Sequence, residues 1–259
     1  KLVRVLGNLT TKEFDPILML DSFDSINPDD YTAGFPMHPH RGIETISYVS
    51  RGKMVHRDSL GNEAGISDGE VQWMNSGSGI MHEEMVPAAE RLLGVQLWLN
   101  LPAKDKMSKP SYNSIKNEDI KEIEIEGGKI RLLAGKYGEH EGYKGDYLSM
   151  DYYDIHLNAD AEVTLTMEED DSVMVFTLLG DVYIDGEHIE EKTAVKLTEG
   201  DSLTIKNGNE KAQVLYMNSR ALNEPVAWAG PIVMNTQEEL QKAFLELRSN
   251  TFIKETAEY

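Results

Sequence analysis

His38 and His40 flank Pro39, and His82 and Glu84 flank Glu83. On an extended backbone, side chains two residues apart project to the same side, so each pair can aim both of its groups at one point. Two such pairs on neighbouring strands of a barrel would converge on its interior and offer three neutral nitrogens and one carboxylate oxygen to a divalent ion. Both clusters lie beside glycine, at Arg41-Gly42 and at Gly77-Ser78-Gly79, where the missing side chain permits close approach of backbone. The chain has no cysteine, which excludes disulfides, thiolate metal sites and cysteine nucleophiles together. Any metal must sit on His, Asp or Glu.

A further carboxylate competes for the fourth position. Glu44 has the same strand parity as His38 and His40 and completes an H-x-H-x-x-x-E spacing, so parity does not separate it from Glu84. Glu83 should point away from Glu84 on an extended backbone. His56, His140, His156 and His188 have no H-x-H or H-x-E partner and are expected to be ordinary surface or internally satisfied histidines. The second half of the chain therefore shows no metal set, and Glu168-Glu169-Asp170-Asp171 is most simply a solvated turn.

The elements that would carry these residues are short strands. Runs rich in Val, Ile, Leu, Tyr and Thr alternate with Gly, Asp, Asn or Pro about every 8–12 residues, the pattern of a β-sandwich or barrel. Strands are predicted at 44–49, 69–74 and 93–99 in the first half, and at 172–178, 181–184, 194–197 and 202–205 in the second. Turns are predicted at Arg51-Gly52, Gly61-Asn62, Asp68-Gly69, Asp185-Gly186 and Asn207-Gly208. The two halves echo each other in the order of strand, hairpin and turn, which suggests two copies of one β-barrel unit. A linker is expected over 104–129, rich in Lys, Asn, Glu, Ser and Gly. At the C-terminus, Thr236 and Glu239 form a T-x-x-E capping box, and Leu240, Phe244 and Leu247 share a helical face that must be buried against one barrel or the other.

With 25 basic and 45 acidic residues the 259-residue chain carries a formal charge of −20. That field repels phosphate backbones and anionic lipid, so direct binding to nucleic acid or membrane is disfavoured. No apolar run approaches the ~18–20 residues needed to cross a bilayer, and residues 1–8 lack the apolar stretch of a signal peptide, which makes the cytoplasm the expected location.

The run Phe35-Pro36-Met37-His38-Pro39-His40-Arg41-Gly42-Ile43-Glu44-Thr45 resembles the first motif of the cupins, in the form found in pirins. The run Val71-Gln72-Trp73-Met74-Asn75-Ser76-Gly77-Ser78-Gly79-Ile80-Met81-His82-Glu83-Glu84-Met85 resembles the pirin second motif. Asp15-Pro16, Leu20-Asp21, Gln96-Leu97-Trp98-Leu99-Asn100 and Gly230-Pro231-Ile232-Val233-Met234-Asn235-Thr236 extend the likeness over nearly the whole chain.

The resemblance implies an all-β fold of two stacked cupin barrels, jelly-roll-like, with a C-terminal α-helix. The N-terminal cupin domain (1–127) would bind metal, and the C-terminal cupin domain (128–259), carrying the helix, would not. It further implies that the ligands are His38, His40, His82 and Glu84, with Glu44 demoted, around one divalent transition metal, foremost Fe(2+), with Mn, Ni, Cu and Zn as alternatives. Such a site leaves about two coordination positions open, room for substrate with dioxygen. The activity implied is opening of a flavonol such as quercetin with O2, with Glu84 as the catalytic base for the substrate hydroxyl. The competing class is a non-catalytic, metal- or redox-sensing interaction protein that serves as cofactor to a transcriptional or metabolic protein partner.

Overall fold

Where apolar residues alternate along the sequence the chain forms antiparallel strands, and a computed structural model of it describes residues 2–198 and 200–255. They divide into two units, and the terminal segment belongs to the first.

The first unit comprises residues 2–12, 17–116 and 222–255. Its strands are β1 (Leu2–Leu6), β2 (Ile17–Ser25), β3 (Phe35–His40), β4 (Ile43–Arg51), β5 (Lys53–Asp58), β6 (Glu63–Ser67), β7 (Glu70–Asn75), β8 (Ile80–Met85), β9 (Leu92–Asn100) and β10 (Ser111–Ile115). One sheet has the order β1-β2-β9-β4-β7-β10 and the other β3-β8-β5-β6. Side chains from both sheets pack together at one end, where Phe23, Val49, Met54, Ile66, Val86 and Leu92 form a buried cluster. Each such burial is worth roughly 1.5–3 kcal/mol, which is what holds the two sheets face to face.

The β8 strand shows the alternation plainly. Ile80, His82 and Glu84 are buried, whereas Met81, Glu83 and Met85 are half-buried or exposed. Between β3 and β4 the chain leaves one sheet and enters the other through Arg41-Gly42. Gly42 has φ +80°, and a Cβ there would collide with the carbonyl oxygen of Val233, so no other residue fits this corner. The buried Lys106 fastens the same corner, donating from Nζ to the carbonyls of Gly42 (2.8 Å) and Val233 (3.2 Å) and to the side-chain oxygen of Asn100.

Strands Ala227–Ala229 and Ile232–Met234 pair and lead into α1 (Gln237–Arg248), the only α-helix among the described residues. The capping box forms: the Glu239 amide donates to Thr236 Oγ1 at 3.2 Å, and the Thr236 amide donates to Glu239 Oε2 at 3.0 Å. The apolar stripe is covered within the first unit, by Ala227, Ile232, Met234 and Phe252 against Leu240 and Ala243, with Phe244 and Leu247 alongside. The helix thus packs with the first unit, not with the second half where the 127/128 division would place it. The expected linker is also structured: β10 pairs with β7, and Lys121–Ile125 pairs with Gly128–Ala134. The units part between Lys116 and Asn117.

The second unit (13–16, 117–198 and 200–221) repeats the arrangement. Its six-stranded sheet runs Lys121–Ile125, Gly128–Ala134, Met150–Leu157, Ala212–Arg220, Asp171–Leu179, Ala194–Lys196, and its four-stranded sheet Glu162–Thr166, Ser202–Asn207, Val182–Ile184, Glu187–Ile189. The interior is filled by Ile130, Leu132, Tyr153, Ile155, Val175, Val214 and Tyr216, with Tyr153 and Tyr216 stacked at 5.0 Å. The fold is therefore all-β with two barrels and one terminal helix.

Candidate metal centre

Strands β3, β8 and β5 lie side by side and put chemically active residues in register. His38 is opposite His82, which is opposite Asp58, and Glu84 is opposite both Phe35 and His56. Because β8 turns every second residue inward, His82 and Glu84 enter the barrel together.

Three imidazoles converge. The Nε2 of His38 lies 3.0 Å from that of His40 and 3.0 Å from that of His82. Among the described residues these three form the one group of His, Asp or Glu side chains close enough to share an ion. Their outer nitrogens decide the tautomers. His38 Nδ1 is 2.7 Å from the carbonyl of Pro36, and His40 Nδ1 is 3.0 Å from the carbonyl of Pro231. A carbonyl only accepts, so both protons sit on Nδ1 and both lone pairs on Nε2, facing inward.

Electrostatics keep His40 and His82 neutral. Burial pushes the His40 imidazolium pKa down to about 3, with the neighbouring His38 adding to the shift. Burial likewise drives His82 well below its ordinary value, assisted by His40, His38 and His56. Lone pairs crowded at 3.0 Å repel unless a cation lies between them. Nitrogens at right angles around an ion, each about 2.1 Å from it, stand about 3.0 Å apart, whereas tetrahedral angles would give about 3.4 Å. The two 3.0 Å separations match nitrogens at right angles on a divalent metal, and all three donor nitrogens lie within 4.8 Å of one another.

Glu84 lies outside this group of three and is held differently. Its carboxylate accepts from Gln96 Nε2 at 3.1 and 3.0 Å and from Gln72 Nε2, and both amides also donate to Ser47 Oγ, at 2.8 and 3.3 Å. Gln72, Ser47 and Gln96 form one row across β7, β4 and β9, so the opposite sheet supplies the cradle. Burial raises the Glu84 pKa, and the Gln96 hydrogen bond is the largest of the effects that oppose it. Glu44 is buried on β4 at odd spacing from Ser47, hence on the face of that sheet turned away from Glu84. Glu83 faces Arg57 at 3.9 Å on the outer side of β8.

His56 is an internally satisfied histidine, not a surface one, and it also touches His82. It is fully buried, its Nδ1 is 3.3 Å from His82 Nδ1, its Nε2 is 2.8 Å from Asp58, and its ring stacks on Tyr112 at 4.0 Å. The signal was an H-x-D at the same i,i+2 spacing as the two ligand pairs. His156 pairs with Asp154 and His188 with Asp181, both in the second unit.

The pirin family profile matches residues 1–99, and the pirin C-terminal cupin domain profile matches residues 152–253. A Pseudomonas aeruginosa protein named, provisionally, as a quercetin 2,3-dioxygenase is 38% identical over 96% of this chain and 90% of its own length. Pirin of Homo sapiens is 36% identical over 95% of this chain and 86% of its own. The crystal structure of a quercetin 2,3-dioxygenase from Acinetobacter baumannii superposes with a TM-score of 0.89 at 31% identity, covering 97% of this chain and 91% of that one. No helix among the described residues is long and apolar enough to cross a membrane.

Proposed function

This chain belongs to the pirin family, and on that premise we propose that it is a metal-dependent dioxygenase that opens a flavonol such as quercetin with O2. The observation that carries the reading is the convergence of the Nε2 atoms of His38, His40 and His82, each with its Nδ1 engaged elsewhere. Glu84 completes the proposed ligand set. One divalent transition metal, foremost Fe(2+), when bound, supplies a Lewis acid that acidifies a coordinated hydroxyl and a redox partner for dioxygen.

The residues of the chain do the rest. The three imidazoles would hold the ion through their Nε2 atoms. Glu84 is the group nearest in kind to a base: a buried carboxylate can take the proton of the flavonol hydroxyl, and the amides of Gln72 and Gln96 orient it and stabilise its anionic form. Several relatives are named as quercetin dioxygenases, which supports this reading over a purely regulatory role. The interaction-protein reading has no comparable observation behind it.

The test is to strip the protein of metal, reload it separately with iron, manganese, nickel and copper, and follow oxygen consumption with quercetin. Turnover with at least one metal is expected, and its absence with all four would remove the activity.

A further inference from the structure

Among the three imidazoles only His82 is backed by side chains. His38 and His40 rest on neutral carbonyl oxygens, whereas His82 Nδ1 meets His56 Nδ1 at 3.3 Å, and His56 Nε2 meets Asp58 Oδ2 at 2.8 Å. His56 and Asp58 side chains are both fully inaccessible to solvent. Asp58 Oδ1 accepts from the amides of Leu60 (2.8 Å) and Asn62 (3.1 Å), and Oδ2 also accepts from Asn62 Nδ2 at 2.8 Å. Three N–H donors already meet the two oxygens of Asp58, and hydrogen bonds to a carboxylate favour its ionised form, so toward His56 it is an acceptor.

The remaining protons then follow in order. The Asp58 carboxylate requires the proton on His56 Nε2, and in the neutral form of His56 the Nδ1 is then an acceptor. His82 Nδ1 must be the donor to it, and the lone pair of His82 is left on Nε2, toward His38. We propose that Asp58 and His56 are positioning residues of the metal centre, a two-hydrogen-bond chain that holds His82 in the tautomer able to ligate. The inference rests on the metal-centre reading given above. Ligating histidines commonly donate their second nitrogen to a carboxylate, which fixes the ring and raises its basicity. Here an imidazole is interposed, clamped by the Tyr112 ring at 4.0 Å and 11°, and carries the same polarisation from Asp58.

The chain also sets His82 apart from its two partners. An anion at the far end strengthens donation from His82 Nε2 more than a backbone carbonyl strengthens His38 or His40. Asp58→Asn tests this selectively. Its Oδ1 can still accept from Leu60 and Asn62, which turns its Nδ2 toward His56 Nε2, so a donor replaces the acceptor. His56 must then carry its proton on Nδ1, and His82 must move its own to Nε2. His56→Phe keeps a ring against Tyr112 and removes both nitrogens, so it tests the chain without relying on the fold of the first variant.

The experiment uses the full chain with 15N-labelled histidine. Two-bond 1H–15N spectra of metal-free protein assign the tautomers, and titration with Co(II) chloride measures affinity. Expected are His56 as Nε2–H and His82 as Nδ1–H in the wild type, an inverted pair in Asp58→Asn, and Co(II) affinity lower by roughly 10–100-fold in both variants. A wild-type His82 protonated on Nε2, or unchanged Co(II) affinity in the variants, would overturn the proposal. Correct tautomers with no Co(II) uptake by the wild type would sink the metal-centre reading and the positioning role with it, whereas normal uptake in wild type and variants alike would sink the positioning role alone.

Discussion

The Nδ1 of His40 is bonded to the carbonyl of Pro231 at 3.0 Å, across 191 residues of chain. The neighbouring Arg41 makes the same connection with its backbone and side chain. Its carbonyl accepts from the Val233 amide at 3.1 Å, and its buried guanidinium donates to the carbonyls of Ser78 (2.7 Å) and Phe252 (2.9 Å), pairs with Glu246 at 2.8 Å and lies 4.2 Å over the Phe252 ring. A buried guanidinium is tolerable only when its donors are met, and three of its acceptors come from the terminal segment and the loop before β8. The C-terminal hairpin, helix and tail are therefore part of the foundation of the metal strand β3.

Phe252→Ala should accordingly act on both stability and metal binding. It removes a buried ring and the cation–π partner of Arg41, a loss on the order of 3–5 kcal/mol for the ring with about 1–2 kcal/mol of the cation–π contact included. Denaturant unfolding should show the loss, and metal content after dialysis should fall with it. Full stability would contradict this account of the tail.

The pH dependence of the same junction has a definite sign. Burial pushes the Glu246 carboxyl up, but the hydrogen bonds from Lys254 at 3.0 Å and Arg41 at 2.8 Å outweigh it and hold the pKa below the ordinary 4.5. A carboxyl lowered on folding binds fewer protons in the native state, so its contribution is complete above the unfolded value and is lost as pH falls through the folded one. Melting temperatures of wild type and Glu246→Gln should differ most near pH 7 and approach each other below pH 4.5. A gap independent of pH would show that the charge is irrelevant.

Metal stoichiometry should be one ion per chain, since the second unit fills its interior with Tyr153, Val175 and Tyr216. His82→Ala should lower affinity by more than the ~10–100-fold typical of losing an outer partner, while His188→Ala, on an exposed hairpin, should leave it unchanged. Elemental analysis of the three proteins checks all of this, and a second tightly held ion would contradict it.

The barrels were legible in the alternation of apolar residues: the strand expected at 44–49 is observed as β4 (Ile43–Arg51), and that at 93–99 as β9 (Leu92–Asn100). The i,i+2 rule also brought His38, His40 and His82 together, because each pair lies within a single strand. It could not rank Glu44 against Glu84, because the chain changes sheets at Arg41-Gly42 and parity does not carry through such a corner. His56-Arg57-Asp58 has the ligand-like spacing, but neither an H-x-H nor an H-x-E pair marks it in the sequence. Pro231 and Lys106 act on the site through long-range packing that no local pattern encodes.

The final prediction concerns Glu84. Its carboxylate is buried and receives two glutamine amides, an arrangement that stabilises an anion, two residues from His82 on the same face of β8. In the proposed dioxygenase it has two tasks, as oxygen ligand and as acceptor of the flavonol hydroxyl proton. Glu84→Gln separates them, because an amide oxygen can still face a cation and accept from one of the two glutamines, yet it is a very poor base. Loss of general-base help is typically worth about 10²–10⁴ in rate, so quercetin turnover should collapse by that factor when wild type and variant are compared at equal measured metal content. If the two turn over equally under those conditions, Glu84 is not the base. If only metal content falls and the rate per bound ion is kept, its role is that of a ligand alone.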